Sequence, residues 1–397
     1  MKEFYHYTVV GAGASGLWLA FAMLKNGLLE HQTLCIVEND LDKKNDRTWC
    51  YWAENPINPI EINSKSWNFI FNESFTDKSE SLRPFKYYHI RSQDFYSTIK
   101  NELLKCKNIS WKFDEVIEIK EIGNQVEINA ASNLWFSERI FLSSHFTKKE
   151  NKSYYKNVPS AIELKKNSSL FIWQSFYGWR IKTHQPFFND TRMSMMNFNV
   201  DQGNHTQFIY ELPFSEKEAL IEMTRFGKEK ITKNEAEIEL RKWMDSKEVD
   251  FEIEEFEIGA IPMTNAFDVQ PKTLNANERV IFIGTPAGAI KPTTGYGFKR
   301  MQEYSELLCL ALASKNKIPS MLRKRRFRIY DILLLQILIN KPEKGKFIFE
   351  ELFKHQPIKR ILKFLDEDTT LMEEIQIFSK LPIRLFMSSL LSYIIKK

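Results

Sequence analysis

Three glycines near the start of the chain have the spacing of a dinucleotide-binding turn. Gly11, Gly13 and Gly16 follow the apolar segment YHYTVV and open the segment SGLWLAFAMLKNG, whose apolar residues recur at helical spacing. In this arrangement the first glycine permits a tight turn, the second lets the backbone approach a pyrophosphate, and the third packs helix against strand. Glu38 ends the next strand-like segment 22 residues after Gly16, where an acid hydrogen-bonds a ribose hydroxyl. The pattern predicts a site for FAD or NAD, since an acid there suits an unphosphorylated ribose better than NADP.

A second glycine-rich segment, Gly284-Thr285-Pro286-Ala287-Gly288, follows the apolar run RVIFIG. It resembles the late flavin-contacting turn of the glutathione-reductase-like flavoproteins, and it therefore favours FAD over NAD. Many of those proteins hold the ribityl chain with an aspartate where this chain has Thr285, which donates a hydrogen bond but carries no charge. Arg91, in HIRSQDFYSTI, resembles the arginine that precedes a helix in the hydroxylase-type branch and reaches toward the flavin. The alternative is that Arg91 is an ordinary surface residue.

Length and composition limit the kind of protein. A chain of 397 residues is expected to form about two domains, and 43% hydrophobic and 14% aromatic residues supply a large core. Its four cysteines are scattered without a CxxC pair, which argues against a disulfide framework and predicts no metal site. The opening MKEFYHYTVVGAG has no export signal, and no stretch reaches the roughly 18 apolar residues that span a bilayer. We therefore expect a cytoplasmic protein.

The order of the elements predicts an α/β fold, in which a Rossmann-type FAD-binding domain contains an inserted antiparallel sheet. Residues 5–40 have the pattern of a βαβ unit, and 111–119 and 124–130 that of a hairpin. Alternating runs between about 168 and 226 predict the antiparallel sheet, and the buried run at 279–284 returns to the first domain. The predicted boundaries are 1–60, 86–160 and 265–320 for the FAD-binding domain, 61–85 and 161–264 for the substrate-binding domain, and 321–397 for a helical, basic C-terminal region.

Four segments together resemble the bacterial FAD-dependent lycopene cyclases: DRTWCYW (46–52), YELPFSEKEALIEMTRF (210–226), IGAIPMT (258–264) and KPTTGYGFKRMQ (291–302). Their order and spacing also match, from the first strand to about residue 310. The resemblance implies a lycopene beta-cyclase, an isomerase that protonates the linear ψ end of lycopene, lets a nearby double bond attack the carbocation, and removes a ring proton to leave a β-ionone ring. It also implies FAD in its reduced form, with no net oxidation and with NAD(P)H as the electron source. An electron-rich flavin in a dry pocket would stabilise the cation.

The resemblance implies that Glu222 is the general acid, because EALIEMTRF matches the segment that bears the family's essential glutamate. Strand alternation places Glu222 on one face with Leu220 and Thr224, opposite Ile221 and Met223. A carboxyl enclosed beside a flavin and a polyene stays protonated at neutral pH, whereas the alternative is a solvent-facing glutamate on an edge strand. The family usually has an aromatic residue after this glutamate. Here Met223 takes that place. We expect Met223 to contact the substrate, where it would attract a carbocation less strongly than an aromatic ring does.

Other residues in the matching segments imply further contacts. Trp49, Tyr51 and Trp52 fall where the family has aromatic residues near flavin and substrate, and each ring would attract a carbocation by about 0.5–2 kcal/mol. Tyr296 is expected to face the flavin, and Gly295 permits close backbone approach. The alternative for the aromatic residues is that they are plain core.

Two other functions remain open on the sequence. An FAD-dependent monooxygenase or hydroxylase of an apolar substrate shares the predicted architecture, but it would consume NAD(P)H and oxygen stoichiometrically. The related flavin halogenases have a WxWxIP segment, and the tryptophans of FIWQSFYGWRI lie too far apart for it. A non-catalytic carotenoid-binding paralogue is the third possibility. Met223 favours this paralogue, and the presence of Glu222 argues against it.

The C-terminal region holds the surplus positive charge. Residues 321–397 contain 16 Lys and Arg against 9 Asp and Glu. The basic cluster RKRRFR (323–328) precedes the apolar run IYDILLLQILI (329–339), and LPIRLFMSSLLSYIIKK ends the chain. Because carotenoids dissolve in bilayer hydrocarbon, these segments predict peripheral binding at the inner face of the cell membrane, unless their apolar residues pack as core. No nucleic-acid-binding pattern is found, and the sequence specifies no oligomeric state.

Overall fold

The computed structural model describes residues 3–40, 47–57, 62–76, 78–144, 146–148, 154–157, 170–267, 273–275 and 277–395. The strands, in chain order, are β1 (Phe4–Val10), β2 (Leu34–Glu38), β3 (Thr48–Ala53), β4 (Lys65–Trp67), β5 (Phe69–Ile70), β6 (Glu80–Ser81), β7 (Lys86–Arg91), β8 (Ile109–Phe113), β9 (Val116–Ile122), β10 (Gln125–Ala130), β11 (Leu134–Leu142), β12 (Phe146–Lys148), β13 (Tyr154–Asn157), β14 (Phe171–Thr183), β15 (Arg192–Asn197), β16 (Thr206–Pro213), β17 (Glu218–Gly227), β18 (Phe251–Thr264), β19 (Thr273–Leu274), β20 (Val280–Phe282) and β21 (Ile318–Pro319). The α-helices are α1 (Ala14–Lys25), α2 (Ser92–Leu103), α3 (Lys233–Asp245), α4 (Phe298–Ala313), α5 (Arg325–Asn340), α6 (Gly345–His355), α7 (Ile358–Leu365), α8 (Leu371–Phe378) and α9 (Ile383–Ile395).

A sheet with a parallel centre positions the first glycine-rich turn. Strand β1 pairs in parallel with β2 on one side and β11 on the other, and β8 joins β2 in parallel. The late strand β20 also pairs in parallel with β11, and β10, β9, β13 and β12 extend the sheet. Trp18 of α1, Phe95 of α2 and Leu308 of α4 belong to one buried core against this sheet. The predicted Rossmann-type fold is confirmed, and the return of the chain at 280–282 completes the same sheet.

The predicted strand at 111–119 is wrong in its extent, because the chain turns at Asp114. Strand β8 ends at Phe113 and pairs with β2, whereas β9 begins at Val116 and forms the expected hairpin with β10. The Asp114 carboxylate accepts hydrogen bonds from the backbone N–H groups of Glu115 (2.8 Å) and Ser132 (3.2 Å). This local bonding favours a turn over a continuous strand.

A second sheet, ordered β18-β14-β17-β16-β15-β5-β6, forms the other wall of the molecule's main cavity. Its long central strands are antiparallel, as the alternating pattern predicts. One face packs on α3, where Trp179, Met223 and Leu240 share a core. The opposite face therefore remains available to the cavity. Strand β4 lies in a separate three-stranded sheet, ordered β3-β7-β4, so the range 61–85 contributes to two sheets.

The C-terminal region is helical, as expected, and packs on the second sheet. Leu335 of α5 and Phe349 of α6 share a core with Phe208 and Phe226 of strands β16 and β17. Across the described ranges, no single helix has the length and apolar content of a membrane span.

Part of the basic cluster at 323–328 is internal. Arg323 is buried and forms ion pairs with Asp331 and with Glu367, the latter at 2.6 Å. Lys291 joins the same two carboxylates at 3.3 and 3.1 Å. Burial would raise the pKa of Asp331, but the positive charges of Lys291 and Arg323 hold that pKa below its usual value. Through these shared carboxylates Lys291 connects the C-terminal helices to the segment after β20. The buried Arg323 cannot serve as the membrane contact that the sequence suggests.

Candidate active site

A cavity of about 590 Å³ lies between the first glycine-rich turn and the second sheet. Both glycine-rich segments contribute to its lining, as do strands β14, β16, β17 and β18. Its size is that of a small-molecule or cofactor site. The predicted site residues that line it are Gly11, Gly13, Glu38, Trp49, Glu222, Gly284, Thr285, Gly295 and Tyr296.

The first turn has the backbone geometry that its glycines predict. Gly11 has φ +95°, and a Cβ there would lie 2.2 Å from the Ser143 Oγ atom. A Cβ on Gly16 would lie 1.9 Å from the Gly11 carbonyl oxygen, so helix and turn are in direct backbone contact. Around Gly13, by contrast, a Cβ would meet no atom within 4 Å, so the backbone there is open to a ligand. Glu38 accepts a hydrogen bond of 2.6 Å from the Ala12 N–H, which holds its carboxylate beside the turn.

The second glycine-rich segment packs directly on the first. Gly284 has φ +64°, and a Cβ there would lie 2.9 Å from both side-chain atoms of Ser15 in α1. Thr285 follows at the cavity wall. Gly295 has φ +76°, and its Cβ would lie 2.7 Å from the Gln174 Oε1 atom on β14. Both glycines therefore allow contacts that a side chain would prevent.

Glu222 projects from β17 into the cavity, as strand alternation predicts. The Thr224 hydroxyl donates a hydrogen bond of 2.8 Å to its Oε1 atom. Removal from bulk water, and then the neighbouring Glu257 carboxyl, raise the pKa of Glu222 to about 8, although the Thr224 hydrogen bond opposes the shift. Glu222 is therefore mainly protonated at neutral pH, as a general acid must be.

Three tyrosine hydroxyls meet beside Glu222. The Tyr296 hydroxyl lies 2.9 Å from that of Tyr87 and 3.4 Å from that of Tyr210. Tyr210 is the cross-strand partner of Glu222. Burial raises the pKa of Tyr210 and of Tyr296, so these hydroxyls stay neutral. Sequence reasoning missed Tyr210 and Tyr87, although alternation along β16 would have placed Tyr210 on the cavity face.

The aromatic residues of β3 have different roles. Trp49 lines the cavity and stacks on Phe298 with ring centroids 4.9 Å apart. Trp52 does not line it. Instead, the buried Trp52 indole donates a hydrogen bond to the Leu362 carbonyl and packs edge-on against the Tyr296 ring at 4.8 Å. Trp52 therefore lies behind Tyr296 and supports it, away from the cavity wall where the sequence places a substrate contact. Tyr51 stacks on Tyr88 in the core.

Two further residues lie away from the cavity. Met223 is fully buried on the opposite face of β17, in the core formed with α3. The alternation that turns Glu222 toward the cavity turns Met223 away from it, so Met223 does not lie at the cavity wall where the sequence places a substrate contact. Arg91 pairs with Glu255 at 2.7 Å and lines a small adjacent cavity rather than the main one. The arrangement does not bring Arg91 to the glycine-rich turns.

Solved structures with similar folds include flavoproteins. A geranylgeranyl bacteriochlorophyll reductase-like protein from Thermoplasma acidophilum is 12% identical, with a TM-score of 0.56 over 97% of this chain and 98% of that chain. A flavoprotein/dehydrogenase from Cytophaga hutchinsonii is 11% identical, with a TM-score of 0.54 over 95% and 100%. A flavin-dependent brominase is 12% identical, with a TM-score of 0.51 over 99% and 100%. Identities this low show the fold alone.

The protein therefore has an α/β fold of the kind found in flavoproteins, with its two glycine-rich turns at one cavity. A family model described as lycopene cyclase protein matches residues 7–391. The chain therefore belongs to the lycopene cyclase family, which confirms the resemblance of its sequence segments. A comparison with curated proteins finds no significant match.

Proposed function

We propose that the protein binds FAD and closes the linear ψ ends of lycopene into β-ionone rings, forming β-carotene. The observation that supports this most strongly is Glu222, a carboxyl with a raised pKa in an aromatic cavity that continues to the dinucleotide turn. An acid of this kind can protonate an isolated double bond only where water does not compete for the cation. Family membership supports the same reaction.

The cavity residues fit FAD. The open backbone at Gly13 and the N-terminus of α1 would receive the pyrophosphate, and Glu38 would bond the adenosine ribose. Gly284 and Thr285 would lie along the flavin side, where Thr285 offers a hydroxyl. When bound in its reduced form, FAD supplies an electron-rich plane that stabilises positive charge without giving up electrons in the net reaction. NAD(P)H is the proposed source of the reducing electrons.

The chain's own residues would manage the proton. Glu222 donates its proton to the terminal double bond, and a nearby double bond attacks the resulting cation to close the ring. The Glu222 carboxylate left behind is then the adjacent base that takes the ring proton, so the acid is restored and the product is an isomer of the substrate. The rings of Trp49, Phe298 and Tyr296 line the cavity and would favour a cation over water.

We also propose that the protein binds the membrane surface from the cytoplasmic side, where it would reach a carotenoid dissolved in the bilayer. Support comes from exposed apolar side chains on two consecutive helices, α8 and α9. These are Leu371, Met372, Ile375, Ile383, Met387, Leu391 and Ile394. The exposed basic residues Lys380 and Arg384 lie between and among them, as in interfacial helices.

Expression in a bacterial host that accumulates lycopene tests the reaction. The host's pigments would be extracted and separated by chromatography, with the same host lacking the gene as the control. We expect lycopene to be replaced by cyclic products with β-ionone rings. Unchanged lycopene beside soluble, flavin-loaded protein would reject the proposal, and an oxygenated carotenoid would identify a monooxygenase instead.

A further inference from the structure

A second carboxyl lies across one glycine from Glu222. Gly178 of β14 pairs with Glu222 of β17 on one side and with Glu257 of β18 on the other. Strands β17 and β18 lie on either side of β14, so their backbones are about 10 Å apart, or two strand spacings. Two extended glutamate side chains can bridge that distance. Both carboxyls line the main cavity.

Gly178 leaves room for the two side chains to approach. A Cβ placed on Gly178 would lie 3.3 Å from the Glu222 Cβ and 3.4 Å from its Cγ. The Glu222 side chain therefore leans over the glycine, toward the strand that carries Glu257. A methyl group at this position would stand between the two carboxyls.

Glu257 also borders a second, smaller cavity of about 40 Å³. The polar residues of that cavity are Thr48, His89, Arg91, Arg180 and Glu255. Glu255 and Phe256 are exposed, so the cavity lies just beneath the surface. Its volume is sufficient for a water molecule, which needs about 10–15 Å³ measured in this way. Thr48, Leu220 and Glu257 line both cavities, and Glu257 is the ionisable member of the three.

The surroundings of Glu257 suit a group that passes protons. Its Oε1 atom is buried without a hydrogen-bond partner among the described residues. Burial raises the pKa of Glu257, and Glu255 adds to the shift, whereas Thr48, Arg91 and Arg180 oppose it. His89, in the same wall, has its pKa lowered to about 3 by burial and by the same two arginines, so it stays neutral. On the other side, Tyr210, Tyr296 and Cys50 face Glu222, and burial raises each of their pKa values.

We propose that Glu257 is a positioning residue that connects Glu222 to solvent protons through the small cavity. A proton passes from water in that cavity to Glu257 and on to Glu222, and the reverse path releases one, so no net charge accumulates. The inference rests on the proposed function. It adds that the proton which Glu222 recovers from each ring exchanges with solvent before the next ring is closed.

Deuterium uptake by the product tests this relay. Purified enzyme would convert lycopene over many turnovers in D₂O, and mass spectrometry would count deuterium in each ring. The parent should incorporate about one deuterium per ring, because Glu222 re-equilibrates between turnovers. In the Glu257→Gln variant, Glu222 would donate to the next ring the same proton that it took from the previous one. The deuterium content per ring should therefore fall by about twofold or more. Glu257→Asp should restore part of the uptake, and Glu252→Gln, an exposed carboxylate on the same strand, should leave it unchanged.

Parental deuterium content in Glu257→Gln would overturn the relay. So would a folded, flavin-binding Glu257→Gln enzyme that closes no rings, since Glu257 would then act in ring closure itself. If this variant does not fold, Gly178→Ala separates the two carboxyls instead, and unchanged uptake there would equally contradict the proposal. Failure of the parent to form any rings would reject the proposed function, which distinguishes that result from failure of the relay alone.

Discussion

At the scale of single residues, the environment of Glu222 determines what the cavity can do. A carboxyl in water is ionised at neutral pH and is a poor acid toward a carbon–carbon double bond. Here removal from water and the adjacent Glu257 keep the proton on Glu222 up to a pH of about 8. The neighbouring tyrosine hydroxyls stay neutral and bring no competing charge.

Replacing Glu222 by glutamine should stop ring closure and leave the flavin bound. Glutamine keeps the shape of the side chain but has no acidic proton, and general acids contribute about 10²–10⁴-fold to rates. Rates would be measured with purified protein, with flavin content read from its absorbance. Glu216→Gln, an exposed carboxylate just before β17, is the control and should behave like the parent. A Glu222→Gln rate within about tenfold of the parent rate corresponds to an increase in the activation free energy of less than about 1.4 kcal/mol. Such a result would show that another group is the acid.

The pH dependence of the rate should report the raised pKa of Glu222. Because the protonated form is the active one, the rate should be constant through neutral pH and fall as pH rises through about 8. The fall should approach about tenfold per pH unit once Glu222 is mostly ionised. Initial rates between pH 6 and pH 10, with protein stability checked at each value, provide the measurement. A rate that already falls about tenfold per pH unit from pH 6 upward, as for a glutamate with an ordinary pKa, would show that Glu222 does not keep its proton at neutral pH.

The sequence singles out Glu222, which the structure places at the cavity wall, but two of the predicted substrate contacts lie away from that wall for physical reasons. Strand alternation already places Met223 on the opposite face of the strand, whereas the resemblance to the family suggests a substrate contact. Trp52 was predicted from its position in a matching segment, which does not say which way a side chain faces. Glu257 and Tyr210 meet Glu222 only through strand pairing, and pairing between distant segments is not written in local patterns.

At the scale of elements, the ion cluster of Lys291, Arg323, Asp331 and Glu367 joins the C-terminal helices to the segment that holds Tyr296. Two positive and two negative groups share a mostly buried site, and the Thr293 hydroxyl donates a hydrogen bond of 2.6 Å to Asp331. The cluster explains why a region without any recognisable sequence motif belongs to the same folded unit as the cavity.

Removing one member of this cluster should destabilise the protein strongly. Arg323→Met leaves Asp331 and Glu367 with one cation between them, and breaking a buried pair typically costs about 3–5 kcal/mol. Denaturant unfolding would measure the loss. Arg325→Met, an exposed arginine two residues later, is the matched control and should change stability by less than about 0.5 kcal/mol. Equal stability of the two variants would show that the buried cluster does not hold the C-terminal region.

The elements themselves were largely predictable. Helical spacing after Gly16 and the return of a buried strand at residue 280 gave the Rossmann-type sheet and its discontinuity. Boundaries were less predictable where a side chain redirects the backbone, as Asp114 does between β8 and β9. The basic cluster at 323–328 illustrates the same difficulty, because a run of like charges indicates a solvated surface until burial shows that Arg323 has carboxylate partners.

At the scale of the whole molecule, the exposed apolar side chains of α8 and α9 should govern membrane binding. The double variant Ile375→Glu and Leu391→Glu places charges on these two helices without touching the cavity or the ion cluster. We expect the parent to float with liposomes containing anionic lipid, and the double variant to remain in the soluble fraction. Ile122→Glu changes a similarly exposed residue in the hairpin of the first sheet and should still float. Equal flotation of all three proteins would place the membrane contact elsewhere.

Ring closure at the cavity is proposed to proceed without net oxidation. It is tested most directly by purified enzyme under anaerobic conditions, with chemically reduced FAD and lycopene supplied in liposomes. Cyclic product would be counted by chromatography, and NADPH consumption followed in a parallel sample with oxygen present. We expect many β-ionone rings per flavin and no stoichiometric use of NADPH. Product that appears only when oxygen is present, in an amount equal to the NADPH oxidised, would show that the reaction is a net oxidation instead.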